Sequence, residues 1–141
     1  MSGPSRFEPP VSAVSEPFWE ATRQRRLVLQ HCGSCERAVW YPRVMCPHCG
    51  HADLEWREAA GRGVVYAVSV QYRAAHPGLA DRVPYAVALV DLDEGVRMMT
   101  SVVGCAAEDV HVGQRVRPAW EPLTDGRHLL LHEPDGDEPD V

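Results

Sequence analysis

Residues 31–50 read HCGSCERAVWYPRVMCPHCG, and the spacing of the four cysteines in this stretch decides the fold. Cys32 and Cys35 are separated by two residues, ten residues follow, and Cys46 and Cys49 repeat the first spacing. Two residues between thiolates let one tight turn aim both sulfurs at a single ion, at metal–sulfur distances of about 2.3 Å. The ten-residue spacer is long enough to bring the second knuckle back to face the first. Gly33 and Gly50 are expected where the knuckle turns need a positive φ, and Pro47 stiffens the second turn.

Four thiolates close a tetrahedral shell and leave no position for water or substrate, so the site is expected to be structural. One zinc per chain is expected. Iron is the competitor, because thiolate sites select both metals and Cys46-Pro-His-Cys49-Gly50 also resembles a rubredoxin knuckle. The spacer is shorter than in rubredoxins, and Glu36 stands where a glycine would follow the first knuckle. His31, His48 and His51 lie beside the cysteines but are redundant as ligands. Residues 27–60 are too few to hold a core of their own, so the metal is expected to replace one. Reduced ligand thiols, with no apolar signal region in MSGPSRFEPP, predict a cytoplasmic protein.

Outward from the knuckles, the pattern is mainly β. Pro17 suits a first helical turn, and a helix to about Arg25 would place Phe18, Ala21 and Thr22 on one face. Leu27–Leu29, Ala38–Tyr41 and Leu54–Trp56 read as ribbon strands. After Gly61 the period becomes two, with Val64, Tyr66, Val68, Val70 and Tyr72 expected on one face of a strand. Further strands are expected at Tyr85–Leu92, Val96–Val103, Arg115–Trp120 and His128–His132, with Val68, Val87 and Leu89 in the core. Gly104–Val110 is the only later stretch suited to a short helix, and Pro118 marks an edge or a bulge. Five strands with a helical piece between the third and fourth match an OB-fold barrel, with a sandwich fragment as the competing architecture. The expected organisation is a flexible N-terminus at 1–14, helix plus zinc ribbon at 15–60, an OB-fold at 61–132 and an acidic disordered tail at 133–141.

The chain has 141 residues and a formal charge of −6; all fourteen of its basic residues are Arg. Without Lys, neither Schiff-base chemistry nor a phosphate-binding G-x-x-x-x-G-K-[ST] loop is available. No apolar run reaches the roughly 18–20 residues of a membrane-spanning helix. There is no H-E-x-x-H and no G-x-S-x-G, and Gly61-Arg-Gly63 opens a strand, which a dinucleotide fingerprint does not. Cys105 stands alone and is expected to be a buried structural thiol. Residues 64–132 hold six Arg against eight acids, which argues against the positive stripe that a nucleic-acid groove needs. One stretch is basic: Arg23, Arg25, Arg26, Arg37 and Arg43 face Glu36 alone.

The order of these features resembles one family. Phe18-Trp19-Glu20, the ribbon with Cys32, Cys35, Pro42-Arg43, Cys46-Pro47 and Cys49, then Gly61-x-Gly63, Pro84-Tyr85 and Val112-Gly113-x-x-Val116 are similar to the zinc-ribbon plus OB-fold family catalogued as domain of unknown function thirty-five. The resemblance covers Pro17 to Pro134. It implies a non-catalytic accessory subunit of a thiolase-like acyl-CoA enzyme, such as an acyltransferase, thiolase or side-chain aldolase of lipid or steroid metabolism. It further implies that a hot-dog-fold hydratase can join the complex, and that the small protein bridges subunits and helps enclose acyl-CoA. Under that reading the basic stretch Arg23, Arg25, Arg26, Arg37 and Arg43 is a candidate dock for CoA phosphates or an acidic partner edge, since Arg binds phosphate bidentately. Phe18, Trp19 and Tyr85 are candidate contact aromatics, with core packing as their competing role. The alternatives from other classes are an OB-fold nucleic-acid binder and a rubredoxin-like iron electron carrier.

Overall fold

The computed structural model describes residues 8–135. Helix α1 (Glu16–Thr22) leads into a ribbon of β1 (Leu27–Cys32), β2 (Ala38–Val39) and β3 (Leu54–Ala59). A barrel follows, made of β4 (Gly63–Gln71), β5 (Tyr85–Leu92), β6 (Arg97–Val102), β7 (Arg115–Pro122) and β8 (His128–Pro134). The ribbon sheet runs β2-β1-β3 and the barrel closes in the order β4-β5-β6-β8-β7. Within the barrel that is first, second, third, fifth, fourth, with the third and fifth strands parallel at Val102 and His132. This is OB-fold connectivity, and a 3-10 turn at Ala107–Asp109 fills the place expected for a short helix.

Helix α1 stops three residues before the expected end because its last turn is closed by a Schellman motif. Arg26 N–H donates to the Ala21 carbonyl (3.1 Å) and Arg25 N–H to that of Thr22 (2.9 Å), with Arg25 at φ 57. Phe18, Ala21 and Thr22 are buried, as their spacing predicts. Thr22 then ties the helix to the barrel: His128 N–H donates to its hydroxyl at 3.1 Å, and the His128 ring lies 2.8 Å from its carbonyl.

One core runs through all three parts. Phe18 from α1 and Leu27 and Leu29 from β1 pack with Val65, Val90, Met98 and Val116 of the barrel. Two expectations about which face points inward are corrected. A bulge between Val65 and Ala67 slips β4, so Val65 is buried and Tyr66 is exposed, while Val68 and Val70 regain the core side beyond the bulge. On β5 the buried row is Ala86, Ala88, Val90 and Leu92, so Val87 and Leu89 lie on the outer, half-buried face. Pro118 sits where β7 has β8 on one side and has already left β4, whose pairing ends at Val116, so its missing N–H interrupts no ladder there.

The ends carry contacts that a free chain lacks. The Glu8 carboxylate accepts from the Thr124 amide (3.0 Å) and hydroxyl (2.9 Å), and the Pro9 carbonyl accepts from Arg127 (2.8 Å). Glu8 and Pro9 thus reach the β7–β8 turn, within the stretch 1–14 expected to be flexible; residues 1–7 of that stretch lie outside the described residues. Strand β8 continues through Glu133 and Pro134, with Glu133 paired to Arg117 at 3.0 Å, which corrects the start of the tail; residues 136–141 also lie outside the described residues.

His132 is fully buried in the barrel, and burial pushes its imidazole below the usual histidine range, the hydrogen bond to the Gly61 carbonyl opposing this only in part. The folded state therefore binds a proton less readily than the unfolded chain. Stability is complete above the unfolded pKa of about 6.5 and is lost as pH falls below it, at up to about 1.4 kcal/mol per pH unit. Denaturant midpoints measured from pH 7.5 to 5.5 should fall in the wild type and fall less in His132→Gln. Parallel curves for the two proteins would contradict this assignment.

Candidate metal centre and the surfaces around it

The four knuckle cysteines converge. Their sulfurs all lie within 4.8 Å of one another, Cys32 Sγ to Cys49 Sγ being 3.6 Å and Cys35 Sγ to Cys46 Sγ 3.7 Å. A tetrahedral ion with metal–sulfur bonds of about 2.3 Å needs sulfur–sulfur edges of about 3.8 Å, so the set fits such an ion without rearrangement. All four thiols are free.

The two knuckles repeat one geometry. The Cys32 carbonyl accepts from Glu36 N–H (2.8 Å) and that of Cys46 from Gly50 N–H (2.9 Å). Glu36 (φ 64) and Gly50 (φ 82) take the left-handed position. Gly50 meets its expectation, but Gly33 does not adopt a positive φ. A Cβ there would lie 2.5 Å from Asp53 Oδ2, the end of a side chain that can move, so neither conformation nor closeness demands glycine at this position. Backbone N–H groups point at the sulfurs, Ser34 to Cys32 at 3.4 Å and His48 to Cys46 at 3.3 Å.

These donors set which thiol ionises first in the metal-free cluster. Burial, the largest influence at Cys35, pushes it up to about 12. At Cys46 burial also opposes ionisation, but the His48 and Cys49 N–H groups outweigh it and the thiol falls to about 7. Metal uptake must displace the remaining protons, so affinity rises with pH. His51 Nδ1 lies 3.3 Å from Cys49 Sγ and His48 Nδ1 lies 3.3 Å from Arg37 Nη1, so both stand outside the sulfur shell.

Around the four sulfurs there is almost no hydrocarbon. Cys32, Cys46 and Val39 are buried there with only Cys35 and Leu54 against them. The buried Gln30 amide does the remaining work on the spacer, donating to the Arg43 carbonyl and accepting from its N–H, both at 2.8 Å.

The expected arginine dock is not one cluster. Arg23 donates to the Asp125 carbonyl at 2.7 Å and pairs with Glu20, joining α1 to the β7–β8 turn. Arg26 pairs with Glu58 at 3.0 Å, both half exposed. Arg37 lies at the second knuckle, while Arg25 and Arg43 are exposed. The aromatics also divide. Phe18 is buried, 5.0 Å from Trp19 and 5.2 Å from Trp40. Trp19 is half-buried under the Arg127 guanidinium. Tyr85 holds the loop before β5, its hydroxyl accepting from Ala75 N–H at 3.3 Å. Cys105 is half-buried, and burial raises its thiol, with Asp109 adding to the effect.

Sequence reasoning missed the spacer itself. Tyr41, Val44 and Met45 are 56%, 74% and 50% exposed, an apolar tip between the knuckles. Behind it Phe18, Trp19, Trp40, Tyr41, Met98 and Leu130 line a groove of about 370 Å³. The apolar run VWYPRVM, of which Val39 and Trp40 pack into the two cores while Tyr41, Val44 and Met45 do not, was the available signal.

Family models agree with this architecture. The model for the "ChsH2, rubredoxin-like zinc ribbon domain" matches residues 19–55, and that for the "ChsH2, C-terminal OB-fold domain" matches residues 56–121. The chain belongs to the ChsH2 zinc-ribbon and OB-fold family.

Within the ChsH2 family, a "Probable enoyl-CoA hydratase alpha subunit" of Thermomonospora curvata is 45% identical over 115 residues, 82% of this chain. This chain spans only 35% of that relative's length. A "DUF35 domain-containing scaffold protein" of Methanocaldococcus jannaschii is 29% identical over 74% of this chain and 75% of its own length. Among solved structures, "Ltp2-ChsH2(DUF35) aldolase" superposes with a TM-score of 0.79 and 37% identity, covering 90% of this chain and 98% of that one. The expected metal site is thus placed in a zinc-ribbon domain of a known family. No helix among the described residues is long and apolar enough to cross a membrane.

Proposed function

We propose that the chain is a non-catalytic scaffold subunit of a thiolase-like acyl-CoA enzyme, with one zinc in its ribbon. The observation that carries this reading is the near-complete structural likeness to the aldolase component, 98% of whose chain is covered at 37% identity. The scaffold name of the archaeal relative supports it. So does the sulfur shell, which is closed by four protein ligands and suits a structural metal. Four cysteines gathered as metal ligands, with no disulfide among the described residues, suit a reducing compartment such as the cytoplasm.

On this reading the thiolase-like partner supplies the reacting groups, and this chain supplies a rigid surface beside them. The exposed tip at Tyr41, Val44 and Met45 and the groove behind it offer apolar area to the partner and to acyl-CoA. Arg25 and Arg26 remain candidates for phosphate or acidic contact. The Arg26–Glu58 pair does not prevent this, because exposed ion pairs are worth roughly 0–1 kcal/mol and exchange readily for a phosphate. The hydratase name of the 45% identical relative favours a second partner, a hot-dog-fold hydratase, for the same surface.

The test is co-expression with a thiolase-like enzyme and purification through a tag on one of the two. A complex of fixed stoichiometry is expected. Replacing Arg25 and Arg26 together by Ala should weaken complex formation or raise the acyl-CoA KM by about tenfold. Wild-type values for both would move the dock elsewhere, and failure of the wild-type pair to co-purify would remove the scaffold reading for that partner.

A further inference from the structure

No ribbon strand pairs with a barrel strand among the described residues; beyond the core that Leu27 and Leu29 share with the barrel, the two modules are joined by α1, which touches β1 on one side and β8 on the other, and by residues 60–62 between β3 and β4. Those three residues are held from both sides. Glu94, in the turn between β5 and β6, reaches across so that its Oε2 accepts from Ala60 N–H (2.8 Å) and Gly61 N–H (3.3 Å). From the other side His132 Nε2 lies 3.0 Å from the Gly61 carbonyl. Asp93 N–H completes the grip on the Arg62 carbonyl at 2.8 Å.

The chemistry at His132 has one solution. A carbonyl only accepts, so Nε2 carries the proton, and in the neutral imidazole Nδ1 accepts from the Thr100 hydroxyl 3.0 Å away, the shorter of that hydroxyl's two contacts, the Ser101 carbonyl lying at 3.4 Å. Gly61 has no room for variation, with φ +74 and a Cβ that would lie 2.8 Å from Leu27 Cδ2 and 2.9 Å from Pro118 Cγ. Leu27 belongs to the ribbon and Pro118 to the barrel, so the peptide of Gly61 sits where the modules meet. Glu94 Oε1 is buried with no hydrogen-bond partner among the described residues. Leaving a buried acceptor unsatisfied costs free energy. That cost is explained when the carboxylate is kept in place by what its other oxygen does at the hinge.

We propose that Glu94 and His132 form a two-sided lock on the hinge at Ala60–Gly61 and are positioning residues that fix the ribbon's orientation on the barrel. The lock follows from the hinge geometry and does not depend on which partner the protein serves.

Residual dipolar couplings on the isotope-labelled, metal-loaded full chain test it. In the wild type, couplings from residues 27–59 and 63–134 should fit one alignment tensor. In Glu94→Ala they should require two, and amide exchange at Ala60 should rise at least tenfold. Glu94→Gln keeps a carbonyl oxygen at the same reach and should restore the single tensor, which a loss of general stability would not allow. Should Glu94→Ala fail to fold, Glu94→Asp, one methylene short, serves in its place with the same expectation. A single tensor in the Ala or Asp variant, or two tensors in the Gln variant, would overturn the lock.

Discussion

Cys46→Ser is expected to lower bound metal below one per chain and to open the ribbon while the barrel stays folded. The reason is the near absence of hydrocarbon around the sulfurs, where Val39 and Leu54 are the apolar neighbours of the cysteine cluster. Binding at a four-thiolate zinc site contributes about 10–16 kcal/mol near neutral pH, and in a module of this size that energy is folding energy. Losing one ligand removes most of it and leaves three sulfurs crowded without an ion. Trypsin reads the outcome, because the chain has no Lys and is cut only after Arg. Cleavage after Arg37, Arg43 and Arg57 should accelerate by tenfold or more, while Arg97 and Arg115, paired with Asp91 and Asp93 on the barrel, remain slow. Full metal content with an unchanged cleavage map would contradict the structural role. Chelation of the wild type should reproduce the variant's map, and should do so more readily as pH falls, since protons compete for the same thiolates.

The second large effect lies in the barrel. Gly63 opens β4 directly against β5, and a Cβ there would collide with the Asp91 carbonyl oxygen and lie 2.8 Å from Val90 Cγ1. Both neighbours are fixed, one as ladder backbone and the other as a fully buried side chain. Gly63→Ala should therefore force β4 and β5 apart at the place where β4 also meets β7, at a cost of about 3 kcal/mol. For a domain of this size that is a fall in Tm of about 10 °C. Gly33→Ala is the matched contrast. Its collision is with the end of the Asp53 side chain, which can swing away, so a loss below about 1 kcal/mol is expected. Thermal unfolding followed by circular dichroism ranks the two. Equal melting temperatures, or a larger loss at Gly33, would contradict the assignment.

The features that were legible in the sequence are those set by local spacing. The knuckles need only two residues between thiols, and the five barrel strands are separated by turns such as Asp93-Glu94-Gly95 and Thr124-Asp125-Gly126, so both survived contact with the structure. The facing of strands did not. Alternation from Val64 to Tyr72 gives no warning of the slip at Tyr66, and one extra residue moves every side chain behind it to the other face. On β5 both faces are apolar, so pattern alone could not choose the alanine row over Val87 and Leu89. The ties that hold the modules together were also illegible, because each joins residues far apart in the chain. Thr22 to His128, Arg127 to Pro9 and His132 to Gly61 become visible only once the strands are placed. The partners of the basic stretch were illegible for the same reason. Five Arg within twenty-one residues read as one patch, but Arg23 reaches Asp125, Arg26 pairs with Glu58 and Arg37 lies against His48.

A scaffold that lends shape and leaves chemistry to its partner is tested most directly by turnover. Acyl-CoA consumption is measured for the metal-loaded chain alone, for the proposed thiolase-like partner alone, and for the two mixed in increasing ratio. The expected result is no turnover by the chain alone and a rise in the partner's rate that saturates at a fixed ratio. Turnover by the isolated chain, or a partner rate indifferent to its presence, would contradict the scaffold role.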